Sequence, residues 1–246
     1  MIESHQLIVT GLSCQVGRSI LFKDLSFTIE SGQWLEVTGN NGAGKSTLLR
    51  AVAGLSDPIS GDSRIVLGDS KANTDLRRIL YQGHKQSFND QLSAFENLHW
   101  QAQLDASAYK ITKSLLTAVD DALRIVDLYS RRDIAFGRLS AGQKRRCTLA
   151  RLAICNQALQ GIKLCWALDE PLTALDAQGQ ALLTELINQH LSQGGSAVFC
   201  THQSLQFVGL KVRQTNAANS EAKSAAKSLN LSAIEATIQN RLVDAS

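Results

Sequence analysis

The chain has 246 residues, of which 44% are hydrophobic and 19% charged, a composition that lets a globular protein bury a substantial core without staples. The formal net charge is only +3, and a net two of those charges lie beyond Gly209, so the main body is close to neutral and offers no broad basic face to duplex DNA. Aromatic residues make up 5%, which argues against a stacking platform for single-stranded nucleic acid.

Residues 1–10 carry Glu3 and His5 and no long apolar stretch, so no secretory signal is expected, and residues 6–10 read as a short strand. Residues 20–29 hold alternating apolar positions (Phe22, Leu25, Phe27, Ile29) and suggest a second strand. After the Ser31-Gly32 turn, a strand over 34–38 runs into a glycine-rich loop. A helix is expected over 45–53, with Gly54 placed to end it in a left-handed conformation. Asp57-Pro58 and Ser60-Gly61 are turns, and strands are expected over 64–67 and 78–81.

Ser93-Ala94-Phe95-Glu96 is a capping box that starts a helix at Ala94. Ile111, Leu115, Val119, Leu123 and Val126 recur at helical spacing. Ser140-Ala141-Gly142-Gln143 is a second capping box, whose helix should run to about Leu159. An apolar strand over 164–168 ends in Asp169-Glu170. A helix over 177–191 stops at Gly194-Gly195, and a buried strand follows over 197–201. Strands alternating with helices predict an α/β chain with a largely parallel sheet, and the stretch 93–158 should form a helical subdomain. Residues 1–208 are expected to form the main domain. Residues 209–246 have linker composition over 216–228 and are expected to be a partly disordered or weakly helical tail.

Five cysteines (Cys14, Cys147, Cys155, Cys165, Cys200) are odd in number and make no C-x-x-C pair, so buried reduced thiols are expected. No segment approaches the ~18 apolar residues of a membrane span. Action at a membrane would go through a partner.

Three motifs carry chemistry. Gly39-Asn40-Asn41-Gly42-Ala43-Gly44-Lys45-Ser46, followed by Thr47, fits G-x-x-x-x-G-K-[ST]. Its glycines let backbone amides approach phosphate oxygens, and the helix start adds its positive end. Lys45 places a cation on the outer phosphates, and the Ser46 hydroxyl suits Mg²⁺. Asp169, at a strand end, is expected to hold the metal through its water shell. Glu170 beside it can polarise an attacking water. Leu139-Ser140-Ala141-Gly142-Gln143 alone is only a helix cap.

In this order, the three motifs make the chain resemble the ATP-binding cassette family over about residues 7–205. The family signature is LSGGQ, and Ala141 replaces its middle glycine. The resemblance implies a phosphate-loop NTPase fold of RecA-like type, with a small antiparallel β subdomain and an α-helical signature subdomain. It implies an ATPase that binds ATP and Mg²⁺ and works as a homodimer. Ser140, Gly142 and Gln143 of one copy would meet the nucleotide held by the other. It further implies that Asp176, in Ala174-Leu175-Asp176, belongs to the loop crossing the dimer seam, and that His202 is the switch histidine contacting the γ-phosphate.

Two positions depart from the family pattern. His84 stands where the family places a glutamine, with Gln82 and Gln86 nearby, so His84 or Gln82 is the candidate for the remaining metal contact. The aromatic that stacks on adenine should fall near Val16, which cannot stack, leaving Phe22 as a substitute. Gly83-His84, Glu96-Asn97-Leu98-His99, the basic run Lys144-Arg145-Arg146 and Thr201-His202-Gln203 make the chain similar to the heme-exporter type of cassette from bacterial c-type cytochrome maturation. Implied partners are polytopic membrane subunits of a heme-handling complex. The implied location is peripheral, on the cytoplasmic face of the inner membrane, with no nucleic acid and no span of its own. The chain has no C-x-x-C-H heme-attachment motif. Other readings are the energiser of another small-molecule transporter, a soluble cassette ATPase acting in translation or DNA repair, and a phosphate-loop kinase. Soluble cassette ATPases usually carry two cassettes or a long coiled coil. A kinase has no reason to combine residues 139–143 with His202.

Overall fold

The computed structural model describes residues 5–67, 78–83, 87–108, 115–158, 162–201, 210–211 and 229–230. Two sheets organise it. Strands β1 (His5–Val16), β2 (Ser19–Glu30) and β4 (Ser60–Leu67) form an antiparallel sheet in the order β2-β1-β4. The second sheet runs β5 (Ile79–Gln82), β6 (Cys165–Asp169), β7 (Ser196–Cys200), β3 (Gln33–Thr38), β8 (Leu210–Lys211), with β9 (Leu229–Asn230) also on β3. Every pairing described in this second sheet is parallel.

The sequence dictates this division. β6 and β7 are buried at all positions, as central parallel strands covered on both faces must be. β1 and β2 alternate between buried and less buried positions over much of their length, as strands with one face on a core do. The antiparallel sheet depends on close backbone approach at Gly61, where φ is +87° and an added Cβ would collide with the backbone of Gly11.

Five α-helices are described: α1 (Lys45–Val52), α2 (Ala94–Ala108), α3 (Leu115–Ile125), α4 (Ala141–Ala158) and α5 (Ala177–Ser192). Gly54 ends α1 at φ +68°, with the Leu55 amide donating to Arg50 O as in a glycine-terminated helix. The capping box at α2 forms in both directions: Glu96 N donates to Ser93 Oγ at 3.1 Å and Ser93 N to Glu96 Oε2 at 2.8 Å.

Each face of the parallel sheet has its own core. Trp34, Leu80, Trp166, Leu168 and Phe199 pack with α2 to α5. Leu35, Val37, Ile79, Cys165, Ala167, Val198 and Cys200 pack with α1 and the antiparallel sheet. Successive strand residues therefore face opposite layers, and that parity decides which side chains reach the phosphate loop. All five cysteines are buried and free.

Three findings go beyond the sequence expectations or differ from them. Residues 210–211 and 229–230 pair with β3, although neither segment carries a strand pattern. The edge of β3 offers a row of backbone groups, and even a two-residue segment can satisfy some of them. Phe22 is fully buried in the core and cannot stack on a nucleotide, while Val16 is exposed. Trp100 on α2 is 60% exposed, unlike Trp34 and Trp166, which are buried in the core.

Candidate functional site

The phosphate loop leaves β3 and enters α1. Gly39, Gly42 and Gly44 all have positive φ, at 148°, 86° and 90°. Only glycine adopts such a sequence of angles cheaply, and a Cβ at Gly44 would also press on the Leu21 side chain at 3.0 Å. Among the described residues no side chain caps α1. An uncapped helix start presents its amide groups to an anion. Ala43 is buried beneath the loop, Asn40, Asn41, Gly42 and Ser46 are exposed, and Thr47 is half-buried. The Lys45 ammonium is folded over the loop, donating to Gly39 O at 2.8 Å and Asn40 O at 3.2 Å. These carbonyls hold the cation at the mouth of the loop, where outer phosphates would meet it.

The two acids follow from strand parity. Asp169 ends β6 on the same face as Cys165 and Ala167, the face that carries α1. It is 4% exposed, and Cys200, its register partner on β7, donates its thiol hydrogen to Asp169 Oδ1 at 2.8 Å. Burial and the Asp169 carboxylate push the Cys200 thiol up, so it stays protonated and acts as the donor. Glu170 follows at φ +51°, a left-handed conformation that costs roughly 1–2 kcal/mol for a residue with a Cβ. Hydrogen bonds at its amide and at its carbonyl, which also accepts from Thr173 N at 3.2 Å, hold it there. Its amide donates to Cys200 O at 3.0 Å, and Arg145 Nη2 donates to its carbonyl. Arg145 is 4% exposed; burial lowers its pKa, and the charges of Asp169 and Glu170 oppose that shift. A hard oxygen set, the Ser46 hydroxyl and the Asp169 carboxylate, fits Mg²⁺ chemically.

The signature opens α4 as expected. Gln143 N donates to Ser140 Oγ at 3.2 Å, and Ser140 N donates to Gln143 Oε1 at 3.0 Å. Ser140, Ala141 and Gly142 are exposed, and a Cβ on Gly142 would meet nothing within 4 Å. The helix start is thus open to a second molecule. Behind it, the basic run turns inward. Arg146 Nη2 lies 3.0 Å from Asp176 Oδ2 and 3.2 Å from Gln178 Oε1. Asp176 is also the N-cap of α5, with Gly179 N donating to its Oδ1 at 2.8 Å. That amide, and then Arg146, hold the Asp176 carboxyl below the usual carboxylate range.

His84 and His202 lie outside the described residues, as does Gln86. Gln82 is described and buried. By strand parity it lies on the face of Leu80, away from α1, and it lines a small cavity with Gln101, Thr148 and Arg151. Neither of its amide atoms has a hydrogen-bond partner among the described residues. This geometry turns Gln82 toward α2 and α4 rather than toward Asp169.

Two residues of the site escape the motif reading. Arg145 looks like part of a solvated basic run, and Cys200 like an ordinary core thiol. The register of β6 on β7 marks Cys200, which stands two residues before His202 on the strand next to Asp169.

The sequence matches the ABC transporter family profile over residues 22–173. It is 41% identical over 215 residues to the cytochrome c biogenesis ATP-binding export protein CcmA of Idiomarina loihiensis, covering 85% of this chain and 90% of that protein. It is 38% identical to the CcmA of Histophilus somni over 205 residues, covering 82% and 89%. Among solved structures, a dimeric post-hydrolysis ATP-binding cassette bound to ADP and Pi superposes with a TM-score of 0.65 at 21% identity, covering 80% of this chain and 88% of that one. That likeness bears on the fold, which is the phosphate-loop α/β fold with flanking helices. With more than half its length inside the family profile and relatives this similar over most of their length, the chain belongs to the ABC transporter family and is an ABC-type ATPase.

Proposed function

We propose that the chain is the ATP-hydrolysing subunit of a membrane complex for c-type cytochrome biogenesis, coupling turnover to heme export or to release of a heme-loaded chaperone. The phosphate loop and the Asp169-Glu170 pair leave the same end of one parallel sheet, which supports the chemistry. Relatives at 36–41% identity named for cytochrome c biogenesis support the biology.

In this reading residues 1–208 make up the cassette, 93–158 its signature subdomain, and 209–246 an extension of it. Residues 39–47 bind the triphosphate through amides and the Lys45 ammonium. Ser46 directly, and Asp169 through water, would hold Mg²⁺, which would neutralise charge on the phosphates. His84 rather than Gln82 would complete the metal contact, since Gln82 faces α2 and α4. Glu170 accepts the proton of the attacking water, and its fixed backbone aims the carboxylate. His202 orients that water. Ser140, Gly142 and Gln143 of a second copy close over the nucleotide and exclude solvent, and the paired Asp176 loops line the seam. Loss of the γ-phosphate removes the group bridging the copies, and the dimer opens.

Polytopic membrane subunits receive that movement, with the chain docked on them from the cytoplasmic face of the inner membrane. Among the described residues no helix is long and apolar enough to cross a membrane. Trp100 and Leu104, 60% and 55% exposed and one helical turn apart on α2, suit the docking contact. Nucleic acid has no part in the reading.

Complementation tests it. In a bacterium lacking its own CcmA, wild-type chain should restore covalent heme attachment to c-type cytochromes, and Lys45→Ala should not. Restoration by both, or by neither while a known CcmA succeeds, would remove the cytochrome role.

A further inference from the structure

We infer that Cys200 is a positioning residue for ATP hydrolysis, fixing the Asp169 carboxylate through its thiol and the Glu170 main chain through its carbonyl.

β6 and β7 run parallel, and Asp169 and Cys200 are paired at their C-terminal ends. Parity puts both side chains on the α1 face, where the phosphate loop lies. Cys200 is wholly buried and Asp169 is 4% exposed. A carboxylate so withdrawn from water needs donors from the protein. The Cys200 thiol is one, at 2.8 Å from Oδ1. A thiol is a weak donor, so it orients the carboxylate while leaving the second oxygen and the remaining lone pairs for a water-bound cation. A lysine or arginine in the same place would neutralise the charge the cation requires.

The backbone of the same residue does a second task. Cys200 O accepts from Glu170 N at 3.0 Å, just where Glu170 takes its left-handed turn. One residue therefore grips both acids, one by side chain and one by main chain. A side chain without a donor hydrogen at position 200 leaves the second grip intact and removes the first. The two are separable by mutation.

This inference rests on the assignment of Mg²⁺ to Asp169, so the test includes Asp169→Asn. Cys200→Ser keeps a donor, Cys200→Ala removes it with little strain, and Cys200→Val fills the space without a donor. Calorimetry would measure ATP binding with and without Mg²⁺. Partners that orient a metal's ligands typically change metal affinity by about 10–100-fold when removed, and the weak thiol belongs at the lower end, about tenfold. The expectation is that Cys200→Ala and Cys200→Val need about tenfold more Mg²⁺ to reach full ATP affinity, bind metal-free ATP normally, and are rescued by Cys200→Ser. Infrared spectra without nucleotide supply a second readout. The S–H band assigned to Cys200, from its absence in Cys200→Ser, should shift in Asp169→Asn.

Unchanged Mg²⁺ dependence in Cys200→Ala and Cys200→Val, beside a loss in Asp169→Asn, would overturn the inference alone. Equal losses in the Ser, Ala and Val variants would also overturn it, because packing rather than donation would then matter. If Asp169→Asn itself leaves Mg²⁺ dependence unchanged, the assignment of the metal to Asp169 fails first. An unshifted S–H band in Asp169→Asn would contradict the hydrogen bond directly, whatever the folding of the Cys200 variants.

Discussion

Arg146 on the signature helix and Asp176 at the start of α5 lie 3.0 Å apart, tying the residues just behind the signature to the loop that leads away from Glu170. Asp176 divides its oxygens, Oδ1 to the Gly179 amide and Oδ2 to the guanidinium. Arg146 has a further ion-pair partner in Asp127 at 3.7 Å. Asp176→Ala removes both the cap and the pair, whereas Arg146→Ala leaves the cap. Asp176→Ala is therefore expected to lower the melting temperature more than Arg146→Ala, and both should slow ATP hydrolysis. Equal melting temperatures in the two variants, read by calorimetry, would show that the cap contributes nothing.

Lys45 sits where its ammonium bridges Gly39 O and Asn40 O. Lys45→Ala should weaken ATP binding about 10–100-fold, the worth of a hydrogen bond to a charged group. Gly44→Ala should also weaken it by another route, because its backbone φ of +90° and the Leu21 contact at 3.0 Å oppose a Cβ. Calorimetric titration with ATP checks both. Wild-type affinity in Lys45→Ala would take the ammonium out of the binding site.

Much of this was legible in sequence, for identifiable reasons. The phosphate loop needs glycines at fixed offsets, so its positive φ angles at Gly39, Gly42 and Gly44 are written in residue types. The capping boxes at Ser93 and Ser140 are local, and both form. What stayed hidden depends on register between distant strands. Nothing near Cys200 in sequence announces Asp169 as its neighbour, because 31 residues separate them. Arg145 likewise reads as a surface charge until α4 packs it against Glu170. Short strands 210–211 and 229–230 carry too few residues for a periodic pattern.

Stability should fall in mild acid because of two buried histidines. His190 stacks on Trp166 with ring centroids 3.9 Å apart, and its Nε2 faces the carbonyls of Leu164 and Ser196. His5 lies between the Ser31 and Ser196 hydroxyls, each at 2.9 Å. Burial first, then nearby positive charge that includes Lys163, lowers His190 to about 3 and His5 to about 4. Unfolded, both titrate near 6.5. The unfolded chain thus binds more protons once pH drops below about 6.5. Their contribution is complete above that pH and is lost toward the folded values, at about 1.4 kcal/mol per pH unit for each histidine. Denaturant titrations between about pH 8 and 5 should show this slope, and His190→Gln should reduce it by about half. An unaltered slope in His190→Gln would mean that His190 charges freely in the fold.

Trp100 and Leu104 offer an apolar face on α2 with no core role, since they are 60% and 55% exposed. Trp100→Ser and Leu104→Ser should leave the melting temperature and the ATPase rate of the isolated chain nearly unchanged, within ~0.5 kcal/mol of stability. The same pair should reduce co-purification with membrane subunits in detergent. Undiminished co-purification would move the docking surface elsewhere.

The most direct test uses Glu170→Gln with ATP and Mg²⁺, followed by analytical ultracentrifugation and nucleotide quantification. Loss of a proton acceptor should slow turnover by about 10²–10⁴-fold while binding persists. A stable dimer holding two ATP molecules is expected, and it should disperse when Ser140 is also changed to a bulky residue. A variant that stays monomeric with ATP bound, or one that hydrolyses ATP at the wild-type rate, would contradict it.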